Sequence, residues 1–234
     1  MENLECEVRV LTWNIHGGVG IDCRHDMRRI GNVLSRQNAD IVALQEVNLR
    51  KISSGIQNTY EYLKKIAGEF SCHAWTIKDS TGNYGHLLIS KFPMEKQLVH
   101  DVSVPNREPR AIIESLVNFP AGQVRVIALH LGIGVGDKFH QLDSLREIIL
   151  NGGTLPIILM GDFNQWLGKS VDNKLIDLIE IPPKLRTYPS FMPFLSLDRI
   201  MCSRRIEIVQ MKCLFESWIA SDHLPIVADI KLPI

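Results

Sequence analysis

The chain has 234 residues, 45% of them hydrophobic, and its 26 basic and 26 acidic side chains cancel to a formal net charge of zero. That length and apolar content suit a domain with a sizeable packed core, and a charged fraction of 22% without low-complexity runs excludes a disordered chain. Charge balance argues against a tight, non-specific nucleic-acid binder, whose affinity comes from a basic excess, but leaves room for a local basic patch.

The first residues carry Glu2, Glu5 and Glu7 and lack the basic and apolar regions of a secretory signal. No apolar run reaches the roughly 18–20 residues that span a bilayer, so no transmembrane segment is expected. Cys6, Cys23, Cys72, Cys202 and Cys213 are odd in number and contain no C-x-x-C pair. Reduced, mostly buried thiols in a cytoplasmic protein are the expectation.

In chain order, 8–13 and 40–45 read as strands. Met27, Ile30, Val33 and Leu34 recur between them at helical spacing. Tyr60, Leu63, Ile66 and Ala67 predict a second helix, followed by strands at 72–77 and 86–90, and Phe92-Pro93 breaks the pattern. Runs at 112–117 and 123–129 flank Phe119-Pro120-Ala121-Gly122 and read as a hairpin. A helix is predicted over 138–150, with Phe139, Leu142, Leu145, Ile148 and Ile149 on one face and Gly152-Gly153 ending it. Residues 157–160 read as a strand buried on both faces. Val171, Leu175, Leu178 and Ile179 predict a further helix, and strands follow at 197–202, 206–214 and 226–232. Helical crossovers mixed with hairpins, with no linker or repeat, point to mixed sheets covered by helices in a single α/β domain, 1–234. The hairpins count against a purely parallel, doubly wound sheet.

The informative feature is how the apolar strands end. They run into Asn14-Ile15-His16-Gly17-Gly18, Gln45-Glu46, His130, Gly161-Asp162-Phe163-Asn164, and, before the last strand, Ser221-Asp222-His223-Leu224-Pro225. Each has an ordinary explanation alone: Asp162 and Asn164 an Asx-turn, Glu46 a solvated loop residue, His130 a core histidine, Asp222-His223 a turn cap. Asp198, interrupting an apolar strand, needs a partner because a lone buried carboxylate is costly. All these explanations holding at once is improbable, and strand ends are where α/β proteins place chemistry. Carboxylate and amide oxygens suit a hard cation, Mg²⁺ or Mn²⁺, whereas no Cys/His cluster at ligand spacing supports zinc.

The ordered set Thr12-Trp13-Asn14-Ile15-His16-Gly17, Leu44-Gln45-Glu46-Val47, Gly85 to Pro93, Ala128-Leu129-His130-Leu131, Gly161-Asp162-Phe163-Asn164, Leu197-Asp198-Arg199-Ile200 and Ser221-Asp222-His223-Leu224-Pro225 resembles the endonuclease/exonuclease/phosphatase superfamily. The resemblance implies a four-layer α/β/β/α sandwich of two mixed β-sheets flanked by helices, and a divalent-metal-dependent hydrolase of phosphoric esters. It makes Glu46 the principal metal ligand, with Asn14 beside it on metal or phosphate and Asp222 as a second metal contact or brace. Asp162 then orients or deprotonates the attacking water, Asn164 holds phosphate and water, His223 faces the phosphate with Asp198 fixing its tautomer, and His130 is similar to a second catalytic histidine. The division of acid and base between Asp162, His130 and His223 stays open within the family. A carboxylate beside His223 favours imidazolium, which makes Asp162 the better base.

Two departures stand out. His86 occupies a position where the family often has Asn, which bears on phosphate binding. Arg107 and Arg110 both align with a phosphate-contacting arginine, and Arg110 is preferred because it directly precedes a strand. The modest loops disfavour an abasic-site endonuclease, and Gln165-Trp166-Leu167 after Asn164 does not match the inositol phosphatases. The stretch 187–194 is similar to small stand-alone bacterial members. Its apolar side chains suit a lipid or a stacked base, but packing over the sheet edge is the expectation. A phosphate-ester substrate follows from the resemblance, with nucleic acid, a lipid and a small phosphate ester all open as substrates, a non-catalytic phosphate binder as a remote third case, and a monomer favoured.

Overall fold

The computed structural model describes residues 6–50, 56–166 and 170–233. Among them, eleven strands form two mixed sheets. The first sheet contains β1 (Cys6–Asn14), β2 (Ile41–Asn48), β3 (Phe70–Asp79), β4 (Gly82–Ser90), β10 (Glu207–Cys213) and β11 (Ile226–Leu232), in the order β10-β11-β1-β2-β4-β3. The second contains β5 (Met94–Asp101), β6 (Ala111–Phe119), β7 (Gly122–His130), β8 (Ile157–Asp162) and β9 (Asp198–Cys202), in chain order. Helices α1 (Met27–Gln37) and α2 (Thr59–Ala67) belong to the first half, α3 (Val135–Asn151) and α4 (Ser170–Leu175) to the second. No helix among the described residues is long and apolar enough to cross a membrane.

Strand alternation explains the layering. Successive side chains point to opposite faces, so Val8 and Val10 of β1 face Ile113, Val126, Ile158 and Ile200 in a core between the sheets. Leu11 and Trp13 point the other way, into a second core with Ile30 and Leu34 of α1 and Leu63 of α2. On the far side, Ile127, Leu129 and Leu159 pack against Leu142, Leu145 and Ile149 of α3 and Val171 and Leu175 of α4. Three apolar layers thus separate four layers of secondary structure. This is the expected α/β/β/α sandwich.

Local signals account for the helix boundaries. Asp26 caps α1 by accepting from the Arg28 amide, and Asn38 ends it in the left-handed conformation. At the C-terminal end of α3, fully buried Arg125 of β7 donates to the carbonyls of Ile148 and Ile149 at 2.8 and 3.0 Å, while its Nε donates to Glu114 at 2.9 Å. That guanidinium satisfies the helix's orphan carbonyls and its negative dipole end together.

Several expectations need correction. Phe92-Pro93 does break the pattern, between β4 and β5, but β5 itself is not among the expected strands: it is an edge strand, exposed along most of its length, and its MEKQLVHD sequence lacks alternation. The helix expected through Leu178 and Ile179 stops at Leu175, and those residues continue in turns. Phe139 leaves the apolar face of α3 and is exposed. Of the five cysteines, all free, two are buried, two are half-buried and Cys23 is exposed.

Candidate active site

Strand pairing builds the centre of the site. The parallel β7/β8 pair sets His130 beside Asp162, and the antiparallel β8/β9 pair sets Asp162 beside Asp198, so three neighbouring strands present three polar residues in one row. Gly161, just before Asp162, has φ +144° and passes so close to β7 that a Cβ there would lie 2.0 Å from the Leu129 carbonyl oxygen. Only glycine fits that approach. The first sheet supplies Asn14 from the end of β1, paired in parallel with Gln45 of β2.

Glu46 is aimed by a backbone irregularity. The register of β2 against β4 shifts between Leu44 and Val47, and Glu46 takes φ +56°. A bulge of this kind re-aims a side chain out of the pleat, and a left-handed non-glycine residue there stores strain. The result is a carboxylate facing the second sheet: Asn14 Nδ2 donates both to Glu46 Oε1 at 2.9 Å and to Asp162 Oδ2 at 3.1 Å. Asn14 Oδ1 accepts from the His16 amide at 3.1 Å. One amide group therefore ties the two carboxylates together across the sheets.

His223 arrives from the segment before β11. Its backbone is held on both sides: Trp13 Nε1 donates to its carbonyl at 2.9 Å, and its amide donates to Ser221 Oγ at 3.3 Å, a hydroxyl that in turn donates to the Asn14 carbonyl at 2.8 Å. Its Nδ1 lies 2.8 Å from Asp198 Oδ2 and its Nε2 3.9 Å from Asp162 Oδ2. Burial alone would lower the His223 pKa, but the charges of Asp198 and Asp162 and the Asp198 hydrogen bond outweigh it and push it up to about 10. Burial and the neighbouring Asp198 raise Asp162 in turn, to about 6, against the pull of His223 and Asn14. Asp162, Asp198 and His223 offer atoms within 4.8 Å of one another. With its pKa raised in this way, His223 favours the doubly protonated form between the two carboxylates, and the trio reads as a charge triad.

His130 behaves oppositely. Burial first, then the charge of Arg110, holds it well below the ordinary imidazole range. Arg110 Nη1 donates to His130 Nδ1 at 3.4 Å, so the neutral ring carries its proton on Nε2, which lies 3.6 Å from Asp162 and 4.0 Å from Glu46. Buried Arg110 also pairs with Glu108 at 2.9 Å, whereas exposed Arg107 pairs with Asp137 at 3.4 Å. Only the first of these arginines touches the cluster. His86 meets His130 edge-on at 5.9 Å, and burial with the Arg110 charge lowers it to about 4. Neither of its nitrogens nor Arg110 Nε has a protein hydrogen-bond partner.

Asn164 has φ +49° and its amide accepts the Asx-turn role, donating to Asp162 Oδ1 at 2.8 Å, while its Nδ2 donates to the Leu131 carbonyl at 2.9 Å. The turn and the site are thus the same structure. Asp222 is half-buried beside His223; its Oδ1 accepts from Ser221 Oγ at 3.3 Å and lies 3.8 Å from His16 Nδ1. The Glu46 side chain is 23% exposed, against 1% for Asp162 and 0% for Asp198, and the surrounding oxygens suit a hard divalent cation.

One group escaped the sequence reading. Lys138, in the first turn of α3, is buried, and its ammonium donates to the Asn164 carbonyl. Burial lowers its pKa, and the Asp162 charge offsets part of that. Gln141, one turn on, accepts from the Gly132 amide at 2.7 Å. A Lys-x-x-Gln pair on an otherwise apolar helix face was the available signal.

A profile of the endonuclease/exonuclease/phosphatase family matches residues 11–223, and the chain belongs to that family. It is 28% identical to the uncharacterized protein YbhP of Escherichia coli (strain K12), over 96% of each chain. The fold is similar to an endonuclease/exonuclease/phosphatase from Beutenbergia cavernae, with a TM-score of 0.79 at 21% identity, covering 97% of this chain and 72% of that one. It is also similar to the mannosyl-6-phosphatase of Bacteroides thetaiotaomicron, with a TM-score of 0.74 at 18% identity over 95% and 99% of the two chains.

Proposed function

We propose that this chain is a divalent-metal-dependent phosphoesterase, using Mg²⁺ or Mn²⁺, that cleaves P–O bonds with an activated water. The observation that carries the reading is the environment of one oxygen. Asp162 Oδ2 lies 3.1 Å from Asn14 Nδ2, 3.6 Å from His130 Nε2 and 3.9 Å from His223 Nε2. A carboxylate raised to about 6 is a competent base near neutral pH, and it sits beside an imidazolium raised to about 10.

Asp162 takes the proton from water, and His223 donates through Nε2 to a phosphate oxygen. Asp198 fixes the His223 tautomer and supports its charge. His130 and Arg110 offer N–H groups to the remaining oxygens, and Asn164 holds phosphate and water, with His86 behind them. Phosphoryl transfer needs positioning and charge neutralisation above all, and this residue set supplies both. Glu46 holds the cation, with Asn14 and Asp222 at its margin. When bound, the cation polarises phosphorus and lowers the pKa of its water. The name of the Bacteroides neighbour keeps a phosphomonoester among the substrates.

The test is turnover of bis-p-nitrophenyl phosphate with Mg²⁺ or Mn²⁺. Asp162→Asn is expected to lower kcat by about a thousandfold with the fold intact by circular dichroism, and Glu46→Gln to abolish Mg²⁺ binding in calorimetry. Wild-type turnover in Asp162→Asn rejects the base assignment, and tight Mg²⁺ binding by Glu46→Gln rejects the metal site.

A further inference from the structure

The stretch expected to pack over the sheet edge does not do so. Phe191, Met192 and Phe194 are 55%, 64% and 59% exposed, and Trp166 is 46% exposed. Their loop is nevertheless held firmly. Thr187 and Tyr188 amides both donate to the Leu195 carbonyl, at 2.8 and 3.1 Å, and the Phe194 amide donates to the Tyr188 carbonyl at 3.0 Å. Buried Ser190 Oγ lies 2.7 Å from the carbonyl oxygens of both Trp218 and Ser221, which share its one O–H, and its amide donates to the Asp222 carbonyl at 2.7 Å. A loop braced at so many points presents its apolar side chains to solvent by construction.

That loop adjoins the catalytic cluster. The Tyr188 ring lies 4.9 Å from the His223 ring, and Trp166 lies 6.0 Å from Tyr188. Ser190, the residue before Phe191, bonds the backbone of Asp222. The apolar surface therefore continues outward from the phosphate-facing histidine. Exposed apolar patches of this kind on a soluble domain mark a binding surface.

Charge decides between the candidate occupants. A polynucleotide needs free cations along the track of its backbone. Among the described residues, Arg110, which touches the cluster, is paired with Glu108 at 2.9 Å, and Arg107 and Arg50 are paired with Asp137 and Asp79, each at 3.4 Å. The chain as a whole has a formal net charge of zero. An amphiphile has the matching asymmetry, with a single phosphate for the cluster and hydrocarbon for the rim.

We infer that the substrate is a phospholipid presented at a membrane surface, with the 188–194 loop and Trp166 docking into the acyl–headgroup boundary while the headgroup phosphate enters the site. The inference rests on the phosphoesterase reading. Water oxygen bonds phosphorus, the P–O bond to one alcohol breaks, and the proton taken from water returns to the leaving oxygen, so no further reactant is required.

The experiment compares the wild type with the triple variant Phe191→Ser, Met192→Ser, Phe194→Ser. Binding is read by co-sedimentation with vesicles of equal parts phosphatidylcholine and phosphatidylglycerol, and turnover on the same vesicles and on soluble bis-p-nitrophenyl phosphate. The variant is expected to lose vesicle binding and lipid turnover by at least about tenfold, from the lost burial of three large apolar groups, while keeping wild-type turnover of the soluble diester. Unchanged vesicle binding in the variant, or none in the wild type, overturns the inference and leaves the phosphoesterase reading standing. Quenching of tryptophan fluorescence by a single-stranded oligonucleotide that is also cleaved, without vesicle binding, replaces the lipid with a stacked base. Vesicle binding that depends on the loop, with no turnover of any phosphoester, supports the docking surface and overturns the phosphoesterase reading together with the substrate assignment built on it.

Discussion

Replacing Asp198 by Asn isolates the electrostatics of the site with little change in shape. The Asn side chain can still accept from His223 Nδ1, now 2.8 Å from Asp198 Oδ2, but the negative charge is gone. Among the influences that raise His223 to about 10, the Asp198 charge is the largest, and burial opposes it. Without that charge burial is opposed only by Asp162 and Asp222, and the His223 pKa is expected to fall from its raised value. At pH 8 a larger share of the ring would then be neutral, and the phosphate would face a weaker donor. Losing a charged donor at a transition state costs about 3–4 kcal/mol, or about a hundredfold to a thousandfold in kcat. The assay is kcat for bis-p-nitrophenyl phosphate from pH 5 to 11. Thermal unfolding of the metal-free proteins gives an independent check. In the wild type the folded His223 pKa is raised above its unfolded value, so its stabilisation is full below about 6.5 and is lost as pH rises through about 10. The melting temperature of the wild type should therefore fall toward pH 10, and the difference from Asp198→Asn should narrow. An Asp198→Asn protein with wild-type kcat at pH 8 and an unchanged His223 titration by nuclear magnetic resonance would refute the reasoning.

Two further outcomes follow from the geometry. Lys138→Met should lower kcat about tenfold at unchanged KM, because the Asp162–Asn164 turn loses the ammonium on its carbonyl, and Lys138→Arg should restore most of it; a proportional rise in KM would indicate loss of substrate binding instead. Arg125→Leu leaves buried Glu114 without its guanidinium and the last carbonyls of α3 unsatisfied, so a loss of about 3–5 kcal/mol in denaturant unfolding is expected; a change below about 0.5 kcal/mol, within the range of ordinary surface substitutions, would show that water replaces it freely.

Much of this architecture was legible because the strands carry their own punctuation. The apolar runs ending at Asn14, His130 and Asp162 coincide with the ends of β1, β7 and β8, and polar residues at the ends of buried strands have few other places to go. What stayed hidden depends on pairing and local backbone. Nothing in Gln45-Glu46 announces a bulge, since a register shift is a relation between β2 and β4 rather than a property of either. β5 escaped because an exposed edge strand does not have to alternate. Lys138 escaped because a helical lysine ordinarily reaches solvent, and only the position of α3 turns this one inward. The 188–194 loop shows the converse failure, for its apolar residues suggested burial and are exposed.

The order of strands also governs when this site can exist at all. The second sheet, β5 to β9, is one uninterrupted stretch of chain, inserted between the two parts of the first. β1 must wait for β11, with which it pairs from Cys6↔Leu232 to Thr12↔Ile226, and His223 belongs to the segment just ahead of that strand. Synthesis proceeds from the N-terminus, so a ribosome-bound chain can assemble His130, Asp162 and Asp198 while still lacking the imidazole that completes them. The cluster is thereby incomplete until the first sheet closes on β11, and a chain terminated before Ser221 lacks the imidazole that pairs with Asp198.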